Sequence, residues 1–493
     1  MQNLLELLHF TSYGIGSDML IRREHLMELS SRINSRYLPW FDIADADLTG
    51  KKLVRLSLFQ ISVGICFVLL NGTLNRIMVV ELQHPAWIIS AMLALPLLLA
   101  PLRMIIGYKS DNHRSYLGFR RLPYLWSGTM GQFGGLALMP FVLILMTSGE
   151  GNAGHLGFGL CLFALLMVGI GMHMTQTAGL SLATDLASDE NRHRVVAVLY
   201  LMLLVGMLAG ALLFAVLLEP FSYFRLIQVI QGSAVVVAVL NIIAMWQMEK
   251  RRPELTRFEV PRPKFRAIFS HLAATPGAMR LFCVVALGTL GFGMQEILLE
   301  PYGAEVLLMT VSQTTQLTAI FSTGMLVALA LSSGFMGARG DPMKLAATGV
   351  LSGIFGFAGV VIAGPTESII IFVIGTFFIG LGNGLFAVGT LSAVMLLTHS
   401  ATAGLVIGTW GAVQTTTLGI AIFLGGALRD IVPFVLQPPF KTYSLPGHFG
   451  YSFVYHAEIA LLFAALIAIG PLVHRLGRNS IDPTKVRLAD FPT

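Results

Sequence analysis

Apolar residues along this chain come in long blocks, neither alternating as in a half-buried strand nor restricted to the single stripe of a surface helix. A helix that crosses the hydrocarbon core of a bilayer needs roughly 20 such residues in a row. Twelve blocks satisfy that: 55–80, 86–107, 122–147, 156–182, 195–218 and 224–248, then 280–300, 311–336, 345–364, 368–397, 402–428 and 451–474. The pattern predicts an all-α membrane protein with twelve transmembrane helices in two six-helix halves, residues 55–248 and 280–474.

The stretches between the blocks sharpen this division. Residues 249–279, containing MEKRRPELTRFEVPRPKFR, are basic and broken by proline, as a linker between two halves should be. Within the N-terminal segment 1–54, Asp18 can cap a helix over 18–38 whose Leu20, Ile21, Met27, Leu29 and Ile33 are interleaved with arginines. That helix suits a membrane interface or, equally, a solvated face. Residues 475–493 form a polar tail. Basic residues such as Lys51, Lys52, Lys109, Arg120, Arg121 and Arg251 fall in every second connecting segment, on one side of the spans, whereas the other set of loops holds little beyond Arg429 and Lys441. This bias places both termini in the cytoplasm.

Composition agrees. Of 493 residues, 55% are hydrophobic and only 12% charged, with a mean hydropathy of +0.75, which leaves too little polar surface to cover a soluble globule. The net charge of +6 sits in loops rather than on one continuous face, so it reads as a topology signal and not as a nucleic-acid surface. Cys66, Cys161 and Cys283 all lie inside apolar blocks, where small buried hydrophobes are expected. The start MQNLLELLHF lacks the early basic residue of a secretory leader, so the N-terminus is expected to be retained.

Two loops repeat one another. GYKSDNHR carries Gly107, Asp111 and Arg114, and GARGDPMK carries Gly337, Asp341 and Lys344, with the same spacing and each after the second block of its half. Glycine lets helix ends approach, the aspartate can cap a helix N-terminus, and the base can face anionic headgroups. GIGMHMTQTAGLSLA from Gly169 also aligns without gaps on GLGNGLFAVGTLSAV from Gly380. Its GxG lies in an apolar run with no strand before it, so it predicts helix packing rather than nucleotide binding. Twelve spans with an internal repeat of this kind resemble the major facilitator superfamily, whose halves rock about a cavity near the bilayer midplane.

Ionisable and amide groups inside the spans are the candidate functional residues, because at membrane depth they are costly. The first half offers Asn71, Asn75 and Arg76, Gln132, and His173 with Gln176; the second offers Gln295, Glu296 and Glu300, Asn383, Gln414, and His456 with Glu458. The first and seventh spans are equivalent in the repeat, so Arg76 is expected to meet Glu296 or Glu300 as a latch between halves, with Glu300–Pro301 ending its helix. A structural ion pair near the interface is the plain reading of Glu300. Paired acids also suit a proton relay. His173 can bind a metal already held in a macrocycle, or simply join two helices by a hydrogen bond; no second ligand is spaced with it for a four-ligand metal site.

The motifs RLSLFQISVG at 55–64, GTLNRIMVVEL at 72–82, RRLPYLWSGTM at 120–130, ATDLASDENRHRVVAVLYLMLLVGM at 183–207 and MQEILLEPYGAEVL at 294–307 resemble the PucC/LhaA family, a bacteriochlorophyll-delivery branch of the major facilitator fold. The resemblance covers roughly 37–475 and leaves the first 36 residues without a matching motif. It implies a factor for assembling light-harvesting antenna complexes, LH1 or LH2, that binds bacteriochlorophyll, with carotenoid or lipid as further ligands, and hands it to antenna polypeptides. Reaction-centre proteins, pigment-synthesis enzymes and membrane lipids are further partners it suggests. On that basis His173, Gln176, Gln295, Glu296 and Asn75 are the candidate pigment contacts, with His173 able to reach the pigment Mg, and Arg76 with Glu300 the candidate latch. A proton-coupled small-molecule transporter and a pigment-free membrane scaffold for antenna proteins stand as alternatives. No nucleophile elbow, P-loop or HExxH pattern is present, and no enzyme activity is expected.

Overall fold

The structure is a computed structural model that describes residues 50–111, 113, 119–147, 152–187, 192–249, 278–337, 340–396, 403–436 and 448–473. The helix expected over 18–38, most of the linker, Arg114 and the polar tail lie outside the described residues. The chain divides into two units, residues 1–53 and 54–493. Of the first, only the opening turn of a helix from Gly50 is described; the helical bundle is the second.

Among the described residues all regular structure is helical. Helix α1, Gly50–Phe67, continues through two wider π-helical stretches, Val68–Leu74 and Ile77–Glu81. Then come α2 (Ala86–Leu98), α3 (Leu102–Asp111), α4 (Leu122–Thr147), α5 (Asn152–Leu186), α6 (Arg192–Leu217) and α7 (Tyr223–Met245). The second half holds α8 (Ala278–Gly293), a 3-10 turn at Met294–Ile297, α9 (Leu299–Val306), α10 (Val311–Gly337), α11 (Pro342–Ala363), α12 (Ile369–Leu396), α13 (Ala403–Leu436) and α14 (Phe449–Ile469). Among the described residues eleven spans are long and apolar enough to cross a membrane, and α2, with 13 residues, is a shorter apolar helix. Helices suit this setting because each satisfies its own backbone where no water can.

Three spans depart from the sequence expectation. The second is not one helix over 86–107: Pro96 and Pro101 each lack an N–H, and the chain turns tightly between α2 and α3 through bonds such as Ala100 N–H to the Leu97 carbonyl. The seventh does not end at Glu300–Pro301. Its break lies earlier, at Met294–Leu298, and Pro301 sits in the first turn of α9, where its missing N–H costs nothing. The eleventh extends to Leu436 rather than 428 and includes Pro433. Cys66 and Cys161 are buried as expected, but Cys283 is exposed on its helix.

The repeat seen in the sequence is also a repeat of packing. A Cβ on Gly171 of α5 would lie 2.7 Å from the Gln132 nitrogen of α4, and one on Gly382 of α12 would lie 2.6 Å from the Gly349 oxygen of α11. Gly169 backs onto Pro96 of α2 while Gly380 backs onto Phe321 of α10. The two GxG pairs therefore let equivalent helices approach closely, the use of small residues expected in lipid. Between halves, α2 packs on α13 and α6 on α10. Gln132 is absorbed by the scaffold: Asn241 of α7 donates to its Oε1 at 2.7 Å, and Ser62 of α1 donates to Asn241 Oδ1 at 2.6 Å.

Candidate functional site

Between the halves lies a cavity of about 300 Å³. Its walls are mostly apolar, supplied by residues such as Phe67, Leu93, Met172, Phe292 and Met325. Into it project a few polar groups: Asn71, Arg103, His173, Gln176, Glu296, Asn383 and Gln414. An apolar container with few convergent polar groups is the usual form of a small-molecule site.

His173 shows how the scaffold prepares one of them. Because α2 ends at Leu98 and Ala100 bonds back to Leu97, the Pro96 carbonyl is free to accept from a side chain, and His173 Nε2 lies 3.0 Å from it. A carbonyl only accepts, so the ring donates through Nε2–H. The other nitrogen, Nδ1, then carries a lone pair, and it is buried without a protein partner. Fixing one ring nitrogen by a carbonyl so that the other is free to ligate is how protein scaffolds orient metal-binding histidines.

Arg103, at the start of α3, is close enough for its charge to act on His173. Its Nη2 donates to Gln176 Oε1 at 2.9 Å and its Nε to Thr177 Oγ1 at 3.4 Å. Across the cavity, Glu296 projects from the 3-10 turn of the seventh span. Behind it, Glu458 of α14 is fully buried and accepts the Gln295 N–H at 2.7 Å, with its second oxygen unpartnered.

At the end of the bundle that carries Glu81, the halves meet in a polar seam. Asn75 donates to the Ile297 carbonyl at 2.7 Å, Trp87 N–H to Asp430 at 2.9 Å, and Ser312 to Glu219 at 2.9 Å. The latch expected there is built differently. Arg76 pairs with Glu81 at 2.7 Å and not with Glu300, because the π-helical path of the first span brings residues five apart onto one face. Glu300 instead accepts from Thr318 of α10 at 2.7 Å.

Residues 73–476 match the family described as PUCC protein. The chain belongs to the PucC family. It is similar to the Protein PucC of Rhodovulum sulfidophilum, 47% identical over 406 residues that cover 81% of this chain and 89% of that one. It is likewise similar to the "Uncharacterized protein in puhA-bchM intergenic region" of Rhodobacter capsulatus, 44% identical over 470 residues covering 93% and 97%. Among solved structures it resembles the nucleoside transporter NupG, with a TM-score of 0.61, 13% identity and coverage of 85% of this chain and 99% of that one. That likeness shows the fold, which is the major facilitator fold of a multi-pass membrane protein.

In this PucC-family chain the cavity collects His173, Gln176 and Glu296 of the five candidate contacts. The other two are turned away. Asn75 is spent on the seam, and the Gln295 side chain donates to the Phe292 carbonyl at 3.3 Å. Sequence reasoning did not single out Arg103 or Tyr200, which also line the cavity. The signal for Arg103 was present as a lone base inside the second apolar block, in LAPLRMIIG. Of the loop motif, Gly107 and Asp111 fall in the last turns of α3 and Gly337 closes α10. Asp341 caps α11 by accepting the Met343 N–H at 2.8 Å, and Lys344 is exposed one turn on. Among the described residues no cluster of three or more His, Cys, Asp or Glu is placed to hold a free metal ion.

Proposed function

We propose that this protein holds a bacteriochlorophyll-type pigment in its central cavity and delivers it to the polypeptides of a light-harvesting antenna, LH1 or LH2. It acts as a carrier and assembly factor, not as an enzyme. The family and its PucC relatives support the setting, which we take to be the cytoplasmic or intracytoplasmic photosynthetic membrane, with both termini cytoplasmic. One observation carries the chemistry: a neutral imidazole nitrogen, His173 Nδ1, is left without a partner in a largely apolar cavity. A magnesium already held by four macrocycle nitrogens needs one more donor, and a single imidazole supplies it. Gln176 and Glu296 would meet the polar rim of the ring.

Size limits the fit. About 300 Å³ is at the lower end of the roughly 300–1,000 Å³ typical of ligand sites, so a pigment with its long isoprenoid tail fills the cavity with only a part of itself. An absorption spectrum of the protein purified from pigmented membranes tests the reading. Bound bacteriochlorophyll is expected, lost in His173→Ala and reduced in Glu296→Ala; pigment-free protein, or pigment unchanged in both variants, would refute it. A second reading, a proton-coupled transporter, is favoured by Glu296 with the buried Glu458 behind it. Proton-driven uptake of a soluble solute into vesicles would support that instead.

A further inference from the structure

Helix α14 carries a row of polar groups that neither reading of the cavity uses in full. Tyr451, Tyr455 and Glu458 stand at i, i+4 and i+7 on one buried face, none more than 1% exposed. Two of the three are incomplete: the Tyr455 hydroxyl and Glu458 Oε2 have no hydrogen-bond partner among the described residues. Leaving such groups unpaired away from water is costly. Tyr455 packs on the rings of Tyr302 at 5.4 Å and Phe357 at 6.2 Å, so a phenylalanine would fill its place without that cost. The hydroxyl lies close enough to Glu458 for the carboxylate charge to act on it.

The row joins two cavities. At the Glu81 end, Tyr451 donates to Glu305 at 2.9 Å and accepts from Arg429 at 3.2 Å. Arg429 pairs with both Glu305 and Asp430 at 2.6 Å, so two carboxylates share one guanidinium and the group as a whole attracts protons. These three residues and His84 line a cavity of about 430 Å³. At the other end of the row, Glu458 lies near Glu296, which lines the central cavity. In between, the helix rises about 6 Å from Tyr451 to Tyr455 and about 4.5 Å from Tyr455 to Glu458. Two O–H···O bonds through one water span up to about 5.6 Å.

We propose that this row is a proton path: with water bridging Tyr455 to Tyr451 and to Glu458, protons pass between Glu305 at the shut end and Glu296 in the central cavity. Each group gives its proton to the next acceptor and takes one from behind, so every hydroxyl and carboxyl is restored after each passage. Rows of ionisable groups at membrane depth serve this purpose in pumps and transporters. The charge on one wall of the central cavity then follows the proton supply at an end closed to larger molecules. Tyr302 is off the path, because its hydroxyl donates to the Val360 carbonyl at 3.2 Å. The inference goes beyond both readings of the cavity and depends on neither.

The test reconstitutes the full-length protein, without cargo, into vesicles that hold a pH-sensitive dye, and drives protons with a potassium diffusion potential. The unaltered protein is expected to carry protons faster than protein-free vesicles leak them. Tyr455→Phe and Glu458→Gln should each slow this at least about 10-fold, since each removes a positioned proton donor or acceptor. Tyr302→Phe, which deletes a hydroxyl from the same aromatic cluster, should leave the rate unchanged. The comparison of unaltered protein with protein-free vesicles does not depend on any variant folding. No flux above that leak overturns the path, as does either path variant running as fast as the unaltered protein or Tyr302→Phe running as slowly as Tyr455→Phe. None of these outcomes bears on pigment binding, which the absorption spectrum tests separately.

Discussion

At the scale of single residues, the structure separates side chains that face the cavity from those spent on holding it. Gly72 belongs to the second group. A Cβ there would lie 2.5 Å from Glu300 Oε1 and 3.3 Å from Thr318 Oγ1, so the glycine is what lets the buried carboxylate sit between α1 and α10. Gly72→Ala is expected to cost about 1–3 kcal/mol, the usual cost of overpacking, seen as a lower melting temperature in detergent. In a Glu300→Ala background the same substitution should cost clearly less, because the clashing group is gone. An equal cost in both backgrounds would show that Gly72 does not make room for Glu300. The sequence named Glu300 as an intramembrane acid but not its partner, since Thr318 lies 18 residues on in the next span and nothing local marks it.

At the scale of elements, the breaks matter more than the helices. The second block, read as one helix over 86–107, breaks near Pro96 and Pro101, whereas the other eleven apolar blocks were legible as spans because a bilayer imposes a simple length rule. The π-helical stretches of the first span and the 3-10 turn of the seventh were not, because no proline marks either one. They are held by tertiary partners. The turn at Met294–Ile297 releases backbone donors that α14 takes up: Glu458, fully buried, accepts the Gln295 N–H at 2.7 Å. This arrangement aims Glu296 into the cavity and explains why Gln295, its neighbour, points elsewhere. Glu458→Gln keeps an acceptor oxygen at that place and is expected to leave thermal stability nearly unchanged. Glu458→Leu strands the N–H and should cost about 1–3 kcal/mol. Melting curves of both variants decide it, and equal losses would mean that the acceptor is not what maintains the turn.

At the scale of the whole molecule, a cavity between two halves is reached only if the halves part, and a fold of this kind does so by rocking about the central site. In this structure the end carrying Glu81 is shut. Besides packing of α2 on α13 and α6 on α10, the closure uses polar bonds, among them those from Asn75 and Arg76 to the Ile297 and Met309 carbonyls and two to carboxylates. Asp430 of α13 accepts the Trp87 N–H in the first turn of α2, acting as a cap supplied by the opposite half, and Ser312 of α10 donates to Glu219 after α6. Interhelical hydrogen bonds in membrane proteins are worth about 0.6 kcal/mol on average, so removing both should shift the balance by about 1.2 kcal/mol, roughly a sevenfold change in the ratio of open to closed molecules. The combination Asp430→Ala with Ser312→Ala is therefore expected to enrich an open population. Spin labels at Gln83 and Phe434, which line one pocket at that end from opposite halves, would report it as a longer distance component. Replacing Cys283 by serine clears the exposed native thiol, while Cys66 and Cys161 are buried and out of reach of the label. A distance distribution identical to that of the unaltered protein would mean that these two hydrogen bonds set register rather than the equilibrium between states, and that apolar packing with the remaining bonds, such as Asn75 to the Ile297 carbonyl, keeps this end shut.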